Sequence, residues 1–128
     1  MKQILIAIAM LIFITPSISK GADWEYFMQD DSGNSYYMDL QSIQHTSTGT
    51  VRLQRKIESK NPSVYASLVS DIEMDCKNSK LKIRKETSYS KSGKSKISRE
   101  NTEWQPVNPD GIDELLLELV CSLKKADN

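Results

Sequence analysis

Val64-Tyr65-Ala66-Ser67-Leu68-Val69-Ser70-Asp71-Ile72-Glu73-Met74-Asp75-Cys76 places an apolar or small residue at every second position, with three carboxylates interleaved near its end. A period of two marks a strand with one face on a core and one in water. Lys77-Asn78-Ser79 then makes a turn, after which Lys80, Lys82 and Arg84 alternate with Leu81 and Ile83. Folded back, these cations stand across from Asp75, Glu73 and Asp71. Opposite charges facing each other add about 0.2–1 kcal/mol per pair and help to set the register. The stretch therefore predicts two antiparallel strands whose apolar residues share one face, with part of the basic run neutralised by the acidic strand beside it.

Upstream, Asn61-Pro62 interrupts the pattern, and before it Val51, Leu53 and Ile57 alternate with Arg52, Gln54, Lys56 and Glu58. Arg55 breaks the apolar face of this second strand and is expected at its rim. Nearer the start, Trp24 to Met28 and Ser35 to Met38 flank Asp30-Asp31-Ser32-Gly33-Asn34, which reads as a hairpin. Asp39 is placed to cap one helical turn from Leu40 to Ile43, because its carboxylate can accept from amides two or three residues on.

Downstream, Lys91 to Lys96 is a hairpin tip poor in apolar residues, between Tyr89 and Ile97, and Trp104-Gln105-Pro106-Val107 is extended. Asn108-Pro109 then offers an N-cap with proline at the first helical position. The helix that follows carries Ile112, Leu115, Leu116, Leu119, Val120 and Leu123 at helical spacing, acids near its start, and Lys124 and Lys125 near its end. Cys121 falls about 180° from Ile112 at 100° per residue, with Leu117 beside it. Either a second face of the helix is also covered, or its final turn unwinds.

Antiparallel strands followed by one terminal helix predict an α+β domain with about six strands and the helix packed on one face of the sheet. The 128 residues, 38% apolar and 27% charged, leave room for one domain. Met1-Lys2-Gln3 followed by an uncharged run from Ile4 to Thr15, Pro16 and Ser17-Ile18-Ser19 has the profile of a signal peptide. Residues 1–19 are accordingly expected to be removed and 20–128 to be exported, to the periplasm or beyond. No cysteine closes that run, so no lipid anchor is expected. In an oxidising compartment Cys76 and Cys121 are expected to pair, two free thiols being the alternative. Closing a loop of 45 residues would stabilise the fold by roughly 4 kcal/mol on the chain-entropy account.

The charges balance overall but not locally. Residues 77–99 hold nine basic groups and one acid, Glu86, while both flanks are acidic. Lys80, Lys82, Arg84, Lys85, Lys91, Lys94, Lys96 and Arg99 are therefore candidate contacts for an anionic partner such as heparin, the alternative being a solvated face. The free charge is expected to concentrate at Lys91, Lys94 and Lys96. Nucleic acid is not expected as a partner, since an exported chain seldom meets it and no recognition module is present.

No nucleophile, base and orienting group can be nominated together, and no Gly-x-Ser-x-Gly, phosphate loop or His-Glu-x-x-His occurs. The single His45 lies in a Gln-His-Thr-Ser turn. One histidine and two distant cysteines cannot supply a zinc shell. An enzyme, a cofactor or a metal is therefore not expected.

Trp24, Tyr36-Tyr37-Met38-Asp39-x-x-Ser42-Ile43, Ile72-Glu73-Met74-Asp75-Cys76 with Leu81-x-Ile83, Trp104-x-Pro106 and Leu119-Val120-Cys121 occur in an order that resembles the bacterial surface-adhesin E-like domain. The resemblance covers nearly all of the chain after the leader. It implies a six-stranded antiparallel sheet with a C-terminal helix, a disulfide between Cys76 and Cys121, binding to envelope or host-matrix proteins, and self-association, so that a homodimer is an expectation. The founding adhesin is lipid-anchored, whereas this chain lacks the cysteine that an anchor needs. No binding residue carries over from the resemblance.

Overall fold

Alternation of apolar and charged residues commits the middle of the chain to three long neighbouring strands, and shorter strands complete the sheet on either side. The computed structural model describes residues 22–126, so the leader expected at 1–19 lies outside the described residues. The strands are β1 (Trp24–Gln29), β2 (Ser35–Asp39), β3 (Gln44–His45), β4 (Thr50–Glu58), β5 (Ser67–Asp75), β6 (Lys80–Tyr89), β7 (Ser95–Glu100) and β8 (Gln105–Pro106), followed by helix α1 (Ile112–Ala126). The main path runs β1-β2-β4-β5-β6-β7, all antiparallel, with β3 added to β4 and β8 to β6. The architecture is α+β, with six strands on the path and two short additions.

Each outer long strand is shared by two short ones. β2 pairs with the second half of β4 and β3 with its first half. Between them the chain jogs through one 3-10 turn, Leu40–Ser42, capped by the Asp39 carboxylate, which accepts from the Gln41 amide at 3.0 Å. On the far side β7 pairs with the end of β6 and β8 with its start.

The core lies between α1 and one face of the sheet. Val51, Leu53, Ile72, Met74, Leu81 and Ile83 meet Leu116, Leu117 and Val120 there. The helix stays regular through Cys121 and turns Leu117 inward as well as Leu116, so the wide stripe reflects a second covered face. Leu123, expected inside, is exposed. Cys76 and Cys121 are bonded, their Cα atoms 6.0 Å apart, and tie the end of β5 to α1.

Two boundaries differ from expectation. Val64 is 85% exposed in the turn before β5, because the strand starts only at Ser67. The helix begins at Ile112 rather than at Pro109. Asp110 takes a left-handed φ of 67° and Gly111 closes a turn by donating to the Asn108 carbonyl at 3.1 Å, and a left-handed residue cannot belong to a right-handed helix.

Candidate functional site

The eight candidate cations all belong to the β6–β7 hairpin, and the structure sorts them into three groups. Lys80 and Lys82 stand across from Asp75 and Glu73, as the charge pattern requires. A bulge then leaves Arg84 as an extra residue on β6, so that Lys85 comes opposite Asp71. Lys82 Nζ lies 4.0 Å from Glu73 and 4.8 Å from the centre of the Trp104 ring. Arg84 Nη1 is 4.0 Å from Asp71. These four residues belong to a charge ladder on the face of the sheet that α1 does not cover.

Arg99 behaves differently. It donates from Nε and from an Nη to the two oxygens of Glu86, at 3.1 and 3.0 Å, while Ser70 and Ser98 donate to the same carboxylate at 2.9 and 3.0 Å. Burial pushes the Glu86 carboxyl up, but Arg99, Ser70 and Ser98 together bring it below its ordinary value. Glu86 is only 4% exposed and cannot be left without partners. Arg99 thus covers a buried carboxylate from the surface, and its fork is committed to Glu86.

Lys91, Lys94 and Lys96 remain. They are exposed at the turn and at the start of β7 and have no ion pair among the described residues. The turn is held by backbone bonds between Ser90 and both Gly93 and Lys94 and by Ser90 Oγ. Gly93 has a φ of +89°, the left-handed conformation that suits glycine. A hydrogen-bonded turn therefore presents three ammonium groups that have no ion pair among the described residues.

Arg55 was expected at the rim of the apolar face and is instead 5% exposed beneath the first turn of α1, where Nη1 donates to Asp113. The helix brings an acid to its own buried side. Asp113 precedes Leu117 by four residues and Val120 by seven, which places it on the buried arc. That spacing was readable, but only once the arc had been recognised as centred on Leu117 and Val120.

The open face also holds aromatic groups. Lys56 Nζ sits 4.8 Å from the Trp24 ring and 5.0 Å from the Tyr37 ring, and Tyr26 packs edge-on against Tyr37. Between this patch and the charge ladder is a polar cleft lined by residues of the 3-10 turn, β3, β4, β5 and β6. Sequence reasoning did not find it, since its walls are far apart along the chain. No group of three or more metal-ligating side chains occurs among the described residues, and no described helix is long and apolar enough to cross a membrane.

The chain matches the family described as surface-adhesin protein E over residues 24–122. No curated protein and no solved structure matches the chain.

Proposed function

This chain belongs to the surface-adhesin protein E family, and from that premise we propose that it is an exported, non-catalytic binding domain of the bacterial cell envelope, spanning residues 20–128, whose partner is an envelope or host-matrix protein. The observation that carries this reading is the match over residues 24–122, every β-strand of the domain included. The signal-like leader at 1–19 and the absence of a nominated catalytic set in the sequence support it. Fractionation of cells, with and without protease treatment of whole cells, tests it. Processed protein in the envelope or medium is the expected result. Uncleaved protein confined to the cytoplasm would overturn it.

A second reading, that an anionic partner such as heparin docks on the hairpin, is favoured by the three unpaired lysines alone. Replacing Lys91, Lys94 and Lys96 by serine should then bring elution from heparin to lower salt and flatten its salt dependence, since fewer counterions are released. Equal elution of variant and parent at every salt concentration would reduce the tip to a solvated face.

A further inference from the structure

On the open face, bounded by the 3-10 turn and β3 on one side and the β6 bulge on the other, lies a cleft of about 210 Å³ lined by Ser42, Gln44, Arg52, Gln54, Asp71 and Arg84. Its charged groups are close together without being bonded. Arg84 Nη1 is 4.0 Å from Asp71 Oδ2, and Arg52 Nε is 3.8 Å from Glu73 Oε1. Both separations exceed hydrogen-bond length. Neither guanidinium donates a hydrogen bond to a described residue, and Arg52 Nε is buried with no hydrogen-bond partner. Burial also raises the Asp71 carboxyl above its ordinary value despite Arg52 nearby.

A group of this kind is unlike the Glu86 cluster on the opposite face, where every charge is met by donors of the chain itself. Here two forks of N–H donors, one carboxylate acceptor and two carboxamides surround one small space. Arg52 and Arg84 spring from strands two spacings apart, about 10 Å, with the acidic strand between them. The bulge supplies this geometry by adding Arg84 to β6 where an unbroken ladder would have no extra residue.

We propose that this cleft binds a carboxylate-bearing sugar unit, such as a hexuronic acid. A guanidinium fork donates two parallel hydrogen bonds to the sugar carboxylate. Asp71 accepts from ring hydroxyls, and the amides of Gln44 and Gln54 both donate and accept. A bare sulfate or phosphate fits less well, because it meets the Asp71 charge and brings no hydroxyl proton to it. Leu53 also lines the cleft, but an apolar side chain would leave the charged groups there unmatched. A hydroxylated acid satisfies both signs of charge at once. The site uses none of the three tip lysines and goes beyond the reading of the chain as a protein-binding domain.

Titration of the purified protein with glucuronic acid, glucose and sulfate, followed by NMR, tests the proposal. Glucuronate should perturb Arg52, Arg84 and Gln54 and bind at least about tenfold more tightly than glucose, the effect of a hydrogen bond to a charged group. Arg84→Gln should lose a similar factor. Asp71→Ala decides between recognition of a sugar and simple anion attraction: removing a negative charge tightens binding of an anion, whereas removing the hydroxyl acceptor weakens binding of a sugar acid. Unchanged backbone shifts away from the cleft will show that each variant is folded, and Gln54→Ala gives an independent weakening. Competition by hyaluronan oligomers places the sugar in the host matrix, and competition by an acidic capsular polysaccharide places it in the envelope. Competition by neither, tighter binding by Asp71→Ala, or equal affinity for sulfate and glucuronate would overturn the proposal.

Discussion

Arg52 and Arg55 stand three residues apart on β4 and point to opposite faces of the same sheet. Arg55, under the helix, is 5% exposed and gives Nη1 to Asp113. Its lateral neighbours in register, Ser70 and then Glu86, continue a polar row through the core that ends in the paired fork of Arg99. Arg52, on the open face, has only a carboxylate at 3.8 Å and makes no hydrogen bond to a described residue. The difference is one of solvation. Arg55 Nε, like Arg52 Nε, is buried without a hydrogen-bond partner, but under α1 the guanidinium is held through Nη1 by Asp113, and the row that it starts ends on the fully bonded Glu86 carboxylate. On the open face Arg52 and Arg84 are partly exposed and lie beside carboxylates beyond hydrogen-bond length, so their donors remain available.

The disulfide ties α1, packed through Leu116, Leu117 and Val120, to the first of these faces, and breaking it should have the largest effect. Cys76→Ser or Cys121→Ser should lower stability to chemical denaturation by about 2–5 kcal/mol, the range for a native disulfide in a small domain. Mass measurement after alkylation, with and without reduction, checks the bond itself.

Next comes a direct contrast between the faces. Asp113→Asn leaves the buried Arg55 guanidinium without its counter-charge and should cost about 2–3 kcal/mol, less than the roughly 3–5 kcal/mol of a fully buried pair, because Asp113 is itself 41% exposed at its side chain. Asp71→Asn removes a carboxylate that burial already disfavours in its charged form and should cost less than about 0.5 kcal/mol. Denaturant midpoints of the two variants measure the difference, and equal losses would erase the distinction drawn here.

Acid should act on the faces with opposite sign. The Glu86 carboxyl is held below its ordinary value, so its contribution is present above the carboxylate range and is lost as pH falls through its lowered folded value. Asp71 is held above its ordinary value, so protonation takes place first in the folded state and favours it as pH falls. In Glu86→Gln the acid-side loss of stability should become shallower, and in Asp71→Asn steeper. Denaturation curves taken from neutral pH to below the carboxylate range read both slopes.

The smallest effect belongs to the hairpin tip. Serine at Lys91, Lys94 and Lys96 should change stability by no more than about 0.5 kcal/mol each, since these side chains touch neither core nor cap. A larger loss in thermal denaturation would mean that the tip has a structural task as well.

How far these regions were legible in advance differs for a physical reason. The rungs of Asp75 against Lys80 and Glu73 against Lys82 were readable because a strand's period of two and a short turn leave little freedom in register, whereas the bulge that puts Lys85 in place of Arg84 opposite Asp71 was not. The cap at Asp39 and the turn at Asp30 to Asn34 were readable for a similar reason, as both depend on hydrogen bonds between near neighbours. The pairing of Arg55 with Asp113 spans 58 residues, and each alone looks like an ordinary surface charge. Arg99 and Glu86 share one hairpin, yet only the bulge at Ser98 and the arrival of Ser70 from β5 make them a closed cluster.

The amino-acid sequence by itself determined the alternation of the long strands, the terminal helix, the turns, and the two cysteines that could join helix to sheet, because each follows from backbone period, local hydrogen bonding or residue chemistry. Only the tertiary structure decided which charges are consumed and which remain free. That choice depends on where water is excluded, and water is excluded by the helix that packs across the sheet from the far end of the chain. Arg55 becomes an internal support, Arg99 closes from the surface over the buried Glu86, Lys91, Lys94 and Lys96 have no ion pair among the described residues, and Arg52 and Arg84 converge with Asp71 on one cleft, although nothing in the residue types alone distinguishes these cations from one another.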